Sequence, residues 1–160
     1  MSDIEERLRA FARAGNLQVF RQMGFGVHGR VFMVGGGLSP TVVKVCAEEE
    51  PYRRERNAYL RLRERGIDQL MGFHVPGLIS CSDELRVLHM SLVTRPFCLD
   101  FAAAYLDSLP SDFPAMDFEW ESAKLEQFGS EKWELVEGVL GELRSLGIYQ
   151  TDVSPTNISP

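Results

Sequence analysis

The stretch that most constrains this chain is Gly24-Phe25-Gly26-Val27-His28-Gly29, together with the residues immediately C-terminal to it. Glycines at this spacing let a backbone approach phosphate groups with no side chain in the way, although glycine turns also arise for steric reasons alone. A dinucleotide-binding fingerprint needs its last glycine to open a helix. Here Gly29 opens Arg30-Val31-Phe32-Met33-Val34, a β-branched and aromatic run that predicts a strand. The turn cluster Gly35-Gly36-Gly37-Leu38-Ser39-Pro40 and a further strand, Thr41-Val42-Val43-Lys44-Val45-Cys46, leave no room for that helix. The glycines Gly24, Gly26 and Gly29 therefore read as a flap on a strand–turn–strand.

The third strand carries a charge in an apolar setting. Lys44 shares a strand face with Val42. A lysine there is costly unless it snorkels to water or meets an anion, and an edge-strand lysine that resists aggregation is the alternative. The next segment, residues 51–65, predicts a helix with Pro51 in its first turn and Gly66 just past its end. Tyr52, Glu55, Ala58, Tyr59 and Leu62 fall on one face of it by helical spacing, while Leu60 does not. Glu55 is the only acid on that stripe, so an ion pair with Lys44 is expected; a surface carboxylate beside an arginine is the other reading. Arg54, Arg61 and Arg65 read as a solvated basic face.

Around this centre the remaining elements obey local signals. Ser2 and Glu5 form a capping box for a helix to Ala14, stopped by Gly15-Asn16. Residues 17–23 predict a strand, and residues 78–81, a Ser82-Asp83 turn and residues 85–93 predict a hairpin. Beyond residues 94–97 the pattern becomes helical. An alanine-rich helix is predicted over 99–109 and an irregular, proline-broken insertion over 110–128. An amphipathic helix is predicted over 130–146, with Trp133, Val136, Leu140 and Leu143 on one stripe and Gly147 closing it. The expectation is an α+β fold: an N-terminal helix (1–16), a strand-rich lobe with its linker (17–97) and a partial helical lobe (98–160). With so few helical partners, the 130–146 stripe is expected to leave an apolar patch for a partner chain, a further segment or a second copy. After this helix comes Gly147-Ile148-Tyr149-Gln150-Thr151-Asp152-Val153-Ser154-Pro155-Thr156-Asn157. An aspartate in such a loop can orient a nucleophilic hydroxyl and an asparagine can hold magnesium, though the same residue types fill any turn.

Composition narrows the function classes. A formal charge of −6 argues against a dedicated nucleic-acid binder. No apolar run reaches membrane-spanning length, and the acidic N-terminus is unlike a signal peptide. Cys46, Cys81 and Cys98 are few and widely spaced, which suits small buried hydrophobes in a reducing cytoplasm, and His28, His74 and His89 make no metal-binding spacing with them.

Taken in order, the flap, Lys44, Glu55 and Asp152-x-x-x-x-Asn157 resemble the protein kinase family, over Leu17 to Asn157. Small-molecule kinases of the aminoglycoside or choline type share the last loop, and the full glycine flap favours protein kinases. The resemblance implies a protein-kinase-like fold in which Gly24, Gly26 and Gly29 cover the phosphates of ATP and Val31 and Val42 lie near the adenine. It implies a Lys44 on those phosphates held by Glu55, a lobe linker near residues 93–97, a catalytic Asp152 and a magnesium ion at Asn157. Its partners would be ATP and a protein substrate or binding protein. The chain departs from the family pattern in Gln150-Thr151, where His-Arg is usual, and in Ser154, where many members carry lysine. Val42 replaces a usual alanine, and Pro96 offers adenine no N–H. The sequence ends at Pro160, ahead of the family's Asp-Phe-Gly segment, so transfer near background is expected. An active kinase and a pseudokinase or truncated kinase acting as a binding module both remain open.

Overall fold

A computed structural model describes residues 2–159 apart from 27, 38, 94–97, 100, 102 and 156, and gives only the backbone for residues 25, 26, 98, 99 and 159. Helix α1 (Asp3–Ala14) begins with the expected capping box: Ser2 Oγ accepts from Glu5 N, and Ser2 N donates to Glu5 Oε2 at 3.1 Å. Next come β1 (Gln18–Gly26), β2 (Gly29–Gly35), β3 (Thr41–Cys46), α2 (Glu49–Glu64), β4 (Gln69–Leu70), β5 (Phe73–His74), β6 (Leu78–Ser82) and β7 (Val87–Ser91). The chain continues through β8 (Cys98–Leu99), β9 (Ala104–Leu106), α3 (Phe118–Phe128), α4 (Ser130–Ser145), β10 (Ile148–Gln150) and β11 (Ile158–Ser159). None of the described helices is long and apolar enough to cross a membrane.

The main sheet has five antiparallel strands in the order β1-β2-β3-β7-β6. Strand alternation gives it two apolar faces. Val43 and Val45 of β3 join Phe32, Val34 and Val87 under Leu8 of α1. Val42 of the same strand packs with Leu88, Met90, Tyr52, Ala58, Tyr59 and Leu62 on the α2 side. Arg7 fastens α1 to the sheet by donating to the carbonyls of Cys46 at 2.9 Å and Leu85 at 3.0 Å.

His89 of β7 is buried on the α1 face, edge-on to Phe11 with ring centroids 6.0 Å apart. Its Nε2 lies 2.7 Å from Thr41 Oγ1 and its Nδ1 lies 3.4 Å from Ser80 Oγ. Burial holds the imidazole below its ordinary pKa. The unfolded chain therefore takes up this proton first as the pH falls. The stability contribution is complete above about pH 6.5 and declines as the pH drops from there towards the folded-state value. Urea titrations between about pH 7 and 5 are expected to show this decline in the parent protein and a flatter profile in His89→Gln. Equal slopes would show that other groups carry the pH dependence.

The second half differs from the sequence expectation in several places. No helix spans 99–109: its described part holds β8 and β9, and Ala104, fully buried, pairs with Gln150 across β9 and β10. The segment 110–128 is irregular only at its start, because Asp117 caps α3 by accepting from Trp120 N at 3.0 Å. The stripe on α4 is covered: Trp133, Val136, Leu140 and Leu143 are 6%, 0%, 3% and 1% exposed. Trp133 meets the Trp120 ring at 5.7 Å and the Phe128 ring at 5.8 Å, so α3 supplies the lid that the sequence was expected to lack. The apolar patch expected there for self-association is absent from that stripe. A small sheet in the order β11-β8-β5-β4 ties Ile158–Ser159, through Cys98–Leu99, to the Phe73–His74 strand. The expected lobe linker, including Pro96, lies outside the described residues apart from Val93. Cys46 is buried as expected, whereas Cys81 is exposed.

Candidate nucleotide site

The centre of the site arises from register. β3 places Lys44 opposite Val31 of β2 and Leu88 of β7, on the face that α2 covers. Glu55 comes up from α2 to meet it: Lys44 Nζ lies 2.7 Å from Oε2 and 2.9 Å from Oε1. The two side chains are 7% and 1% exposed, so each charge is stripped of most of its water and depends on the other. This decides between the two sequence readings of each residue, because neither is a surface charge.

Several contacts set where α2 sits, and they involve arginines expected to be solvated. Arg61 Nη1 donates to Asp107 Oδ1 at 2.6 Å and to the carbonyls of Leu146 and Gly147 at 3.3 and 3.1 Å, while Nη2 reaches Asp107 Oδ2. The hydrogen bond from Arg61 holds the Asp107 carboxyl below its ordinary pKa. Arg54 lies over the Tyr105 ring, 4.8 Å from its centroid, and pairs with Glu50 at 2.6 Å. Only Arg65 has the exposed position expected of all three. Near the other end of α2, Tyr52 donates to Asp83 Oδ1 at 2.6 Å and Arg56 to the same oxygen. The Tyr52 bond, then that from Arg56, lowers the Asp83 pKa, while burial first and the same bond second raise that of Tyr52. Sequence periodicity identified the core stripe of α2 but not its flanks, which abut Tyr105, Asp107 and the carbonyls of Leu146 and Gly147.

The flap is a strand–turn–strand, with Gly24 paired to Val31 and Gly26 to Gly29. Its glycines are not equivalent. A Cβ on Gly29 would collide with the Val45 carbonyl oxygen and lie 3.0 Å from Cys46 Cα, so packing alone demands glycine there. A Cβ on Gly24 would meet nothing within 4 Å. Gly29→Ala is therefore expected to cost about 1–3 kcal/mol of stability through overpacking, and Gly24→Ala less than about 0.5 kcal/mol. Thermal melts of the two variants check this, and equal losses would contradict the distinction. Val31 is half-buried against the cluster that contains Val42, which is 7% exposed. Both lie on the Lys44 side of the sheet. Val27 lies outside the described residues, and only the backbone of Gly26 is described.

Asp152 comes two residues after β10 in an exposed loop. Thr151 anchors this loop, its Oγ1 donating to Ala103 O at 2.8 Å, and Val153 is buried. Asn157 Nδ2 donates to the Asp152 carbonyl at 3.3 Å, while Asn157 N and Ile158 N both donate to Ser154 O. Among the described residues nothing bonds to the Asp152 carboxylate. One contact was not anticipated: Lys124 of α3 donates to the Val153 carbonyl at 2.6 Å and props the loop from outside. Its only sequence signal was a lysine inside a segment read as irregular.

The structure thus assembles Lys44 with Glu55 and Asp152 with Asn157, each pair on its own elements. For magnesium, the Asn157 amide oxygen is a hard oxygen donor of the right kind. One donor falls far short of an octahedral shell, so phosphate oxygens and water would have to complete it. No protein-family profile matches the chain, and no curated protein matches it.

Proposed function

We propose that this chain is a protein-kinase-like domain that binds ATP beneath the glycine flap and, where the chemistry is completed, passes the γ-phosphoryl group to a protein hydroxyl. The observation that carries this reading is the ion pair at 2.7 Å between a strand lysine and a helix glutamate, next to a glycine-bearing strand pair. In that reading Lys44 places positive charge on the phosphates and Glu55 holds it there. Asp152 accepts the proton of the acceptor hydroxyl, and Asn157 contributes its amide oxygen to magnesium. Bound magnesium supplies charge neutralisation on the phosphates. Ser154, where many members of the family carry lysine, takes a cation away from the reacting group, which supports a rate near background.

A second reading has its own support. Lys44 is only 6% exposed, which suits an ion pair that shapes a binding module as well as one that awaits a ligand. Calorimetric titration with ATP, with and without magnesium, separates the two. The enzyme lineage predicts magnesium-dependent binding that Lys44→Arg weakens and Arg65→Gln does not. Binding that ignores magnesium supports a pseudokinase, and no binding at millimolar ATP sinks the nucleotide reading.

A further inference from the structure

Three consecutive carbonyls in the loop after β10 each accept a hydrogen bond, and their donors differ in kind. The Asp152 carbonyl accepts from Asn157 Nδ2 at 3.3 Å and from Gln150 Nε2 at 3.5 Å. The Ser154 carbonyl accepts from the backbone N–H groups of Asn157 at 3.0 Å and Ile158 at 2.9 Å. Between them, the Val153 carbonyl accepts from Lys124 Nζ of α3 at 2.6 Å. The outer two carbonyls are satisfied by the loop and the strand that leads into it. The middle one depends on a different element, and its bond is charge-assisted, which makes it the strongest kind of the three. Lys124 meets no carboxylate among the described residues. Its other neighbours are Gln127 Oε1 at 3.3 Å and the Trp120 ring, whose centroid lies 5.7 Å away.

We propose that Lys124 is a positioning residue: from α3 it fixes the peptide between residues 153 and 154 and so sets where Asn157 stands relative to Asp152. The Val153 side chain, 1% exposed, anchors one side of that peptide in the core, and the lysine holds its oxygen. Turning the peptide would swing Ser154, whose carbonyl organises the backbone of Asn157 and Ile158. The near end of the loop is held separately, since Thr151 donates to the Ala103 carbonyl through N at 3.0 Å and through Oγ1 at 2.8 Å. Freedom is thus confined to the part that Lys124 restrains. Lys124 touches no reacting atom and takes no part in proton transfer. The consequence for magnesium rests on the role proposed for Asn157, whereas the hold on the loop does not.

Amide hydrogen exchange on the full chain tests the hold directly. In Lys124→Met the amides of Asn157 and Ile158 are expected to exchange about tenfold faster or more, because a charged donor has left a partly buried acceptor. The α3 amides of Glu121 and Gly129, bonded to the carbonyls of Asp117 and Leu125, should exchange as in the parent. Lys124→Arg keeps the cation and should restore most of the loop protection. Equal acceleration in α3 and the loop would overturn the proposal, because the lysine would then only fasten α3. Unchanged exchange at both would overturn it too. A second measurement reads the metal end: electron paramagnetic resonance of manganese at saturating ATP. Lys124→Met should weaken manganese about tenfold, Lys124→Arg should recover it, and metal-free ATP affinity should stay as in the parent. Parallel loss of ATP with and without metal would overturn the positioning role. A parent that takes no ATP would sink the proposed function, and the exchange result would still decide what Lys124 does.

Discussion

Lys44→Met is expected to lower folding stability by about 3–5 kcal/mol, since it leaves the Glu55 carboxylate buried without its cation. Methionine nearly fills the space of the lysine stem, so lost packing contributes little and the uncompensated charge dominates. The double variant Lys44→Met with Glu55→Leu should recover most of that loss, because it removes both desolvated charges together. Urea denaturation of the single and double variants measures the difference. A single variant as stable as the parent would mean that water reaches Glu55, contrary to its 1% exposure. The double variant also separates architecture from ligand binding. A folded protein that no longer takes ATP places the lysine in recognition, whereas one that binds ATP normally removes it from the nucleotide site.

Trp133→Ala is expected to cost about 3–5 kcal/mol and to expose the junction of α3 and α4. Trp133 is 6% exposed between Trp120 and Phe128, so truncation removes the ring against which both of them pack. A hydrophobic dye should stay dark with the parent protein and brighten with the variant. A bright parent would revive the exposed stripe expected from sequence, and a loss below about 1 kcal/mol would mean that α3 packs loosely.

The sequence was most legible where one local signal sufficed. The capping box of Ser2 and Glu5, the β-branched runs of β2 and β3, and the 3–4 spacing of Tyr52, Glu55, Ala58, Tyr59 and Leu62 all report the structure directly. Lys44 and Glu55 were legible as a pair because each stood alone as a charge on an apolar face. Reading failed where a distant partner decided the outcome. The alanines near position 103 favour a helix by propensity, yet pairing of β9 with β10 overrides it. Pro110 and Pro114 concealed α3, although Asp117 three residues before Trp120 was a usable cap signal. The β4–β5 hairpin was missed, though Met71-Gly72, both at positive φ, is the two-residue turn such a hairpin needs. Arg61 lay off the apolar stripe and was read as solvated, since nothing in α2 alone announces Asp107, forty-six residues on.

The anchoring of α2 bears on how a binder could act on this domain. Asp83 holds the helix near one end and Asp107 with the Gly147 carbonyl near the other, so the carboxylate of Glu55 is aimed before any ligand arrives. The ordering entropy of the charged centre is thereby spent in folding, and a ligand at Lys44 need not recruit the helix. Two of the ion pairs that α2 makes nonetheless answer to different solvents. Asp107 is 74% exposed and its attraction to Arg61 is screened by salt, while Lys44 and Glu55 lie below the reach of mobile ions. Rising ionic strength therefore loosens the outer fastening first, giving α2 freedom to pivot while its inner charge pair stays closed.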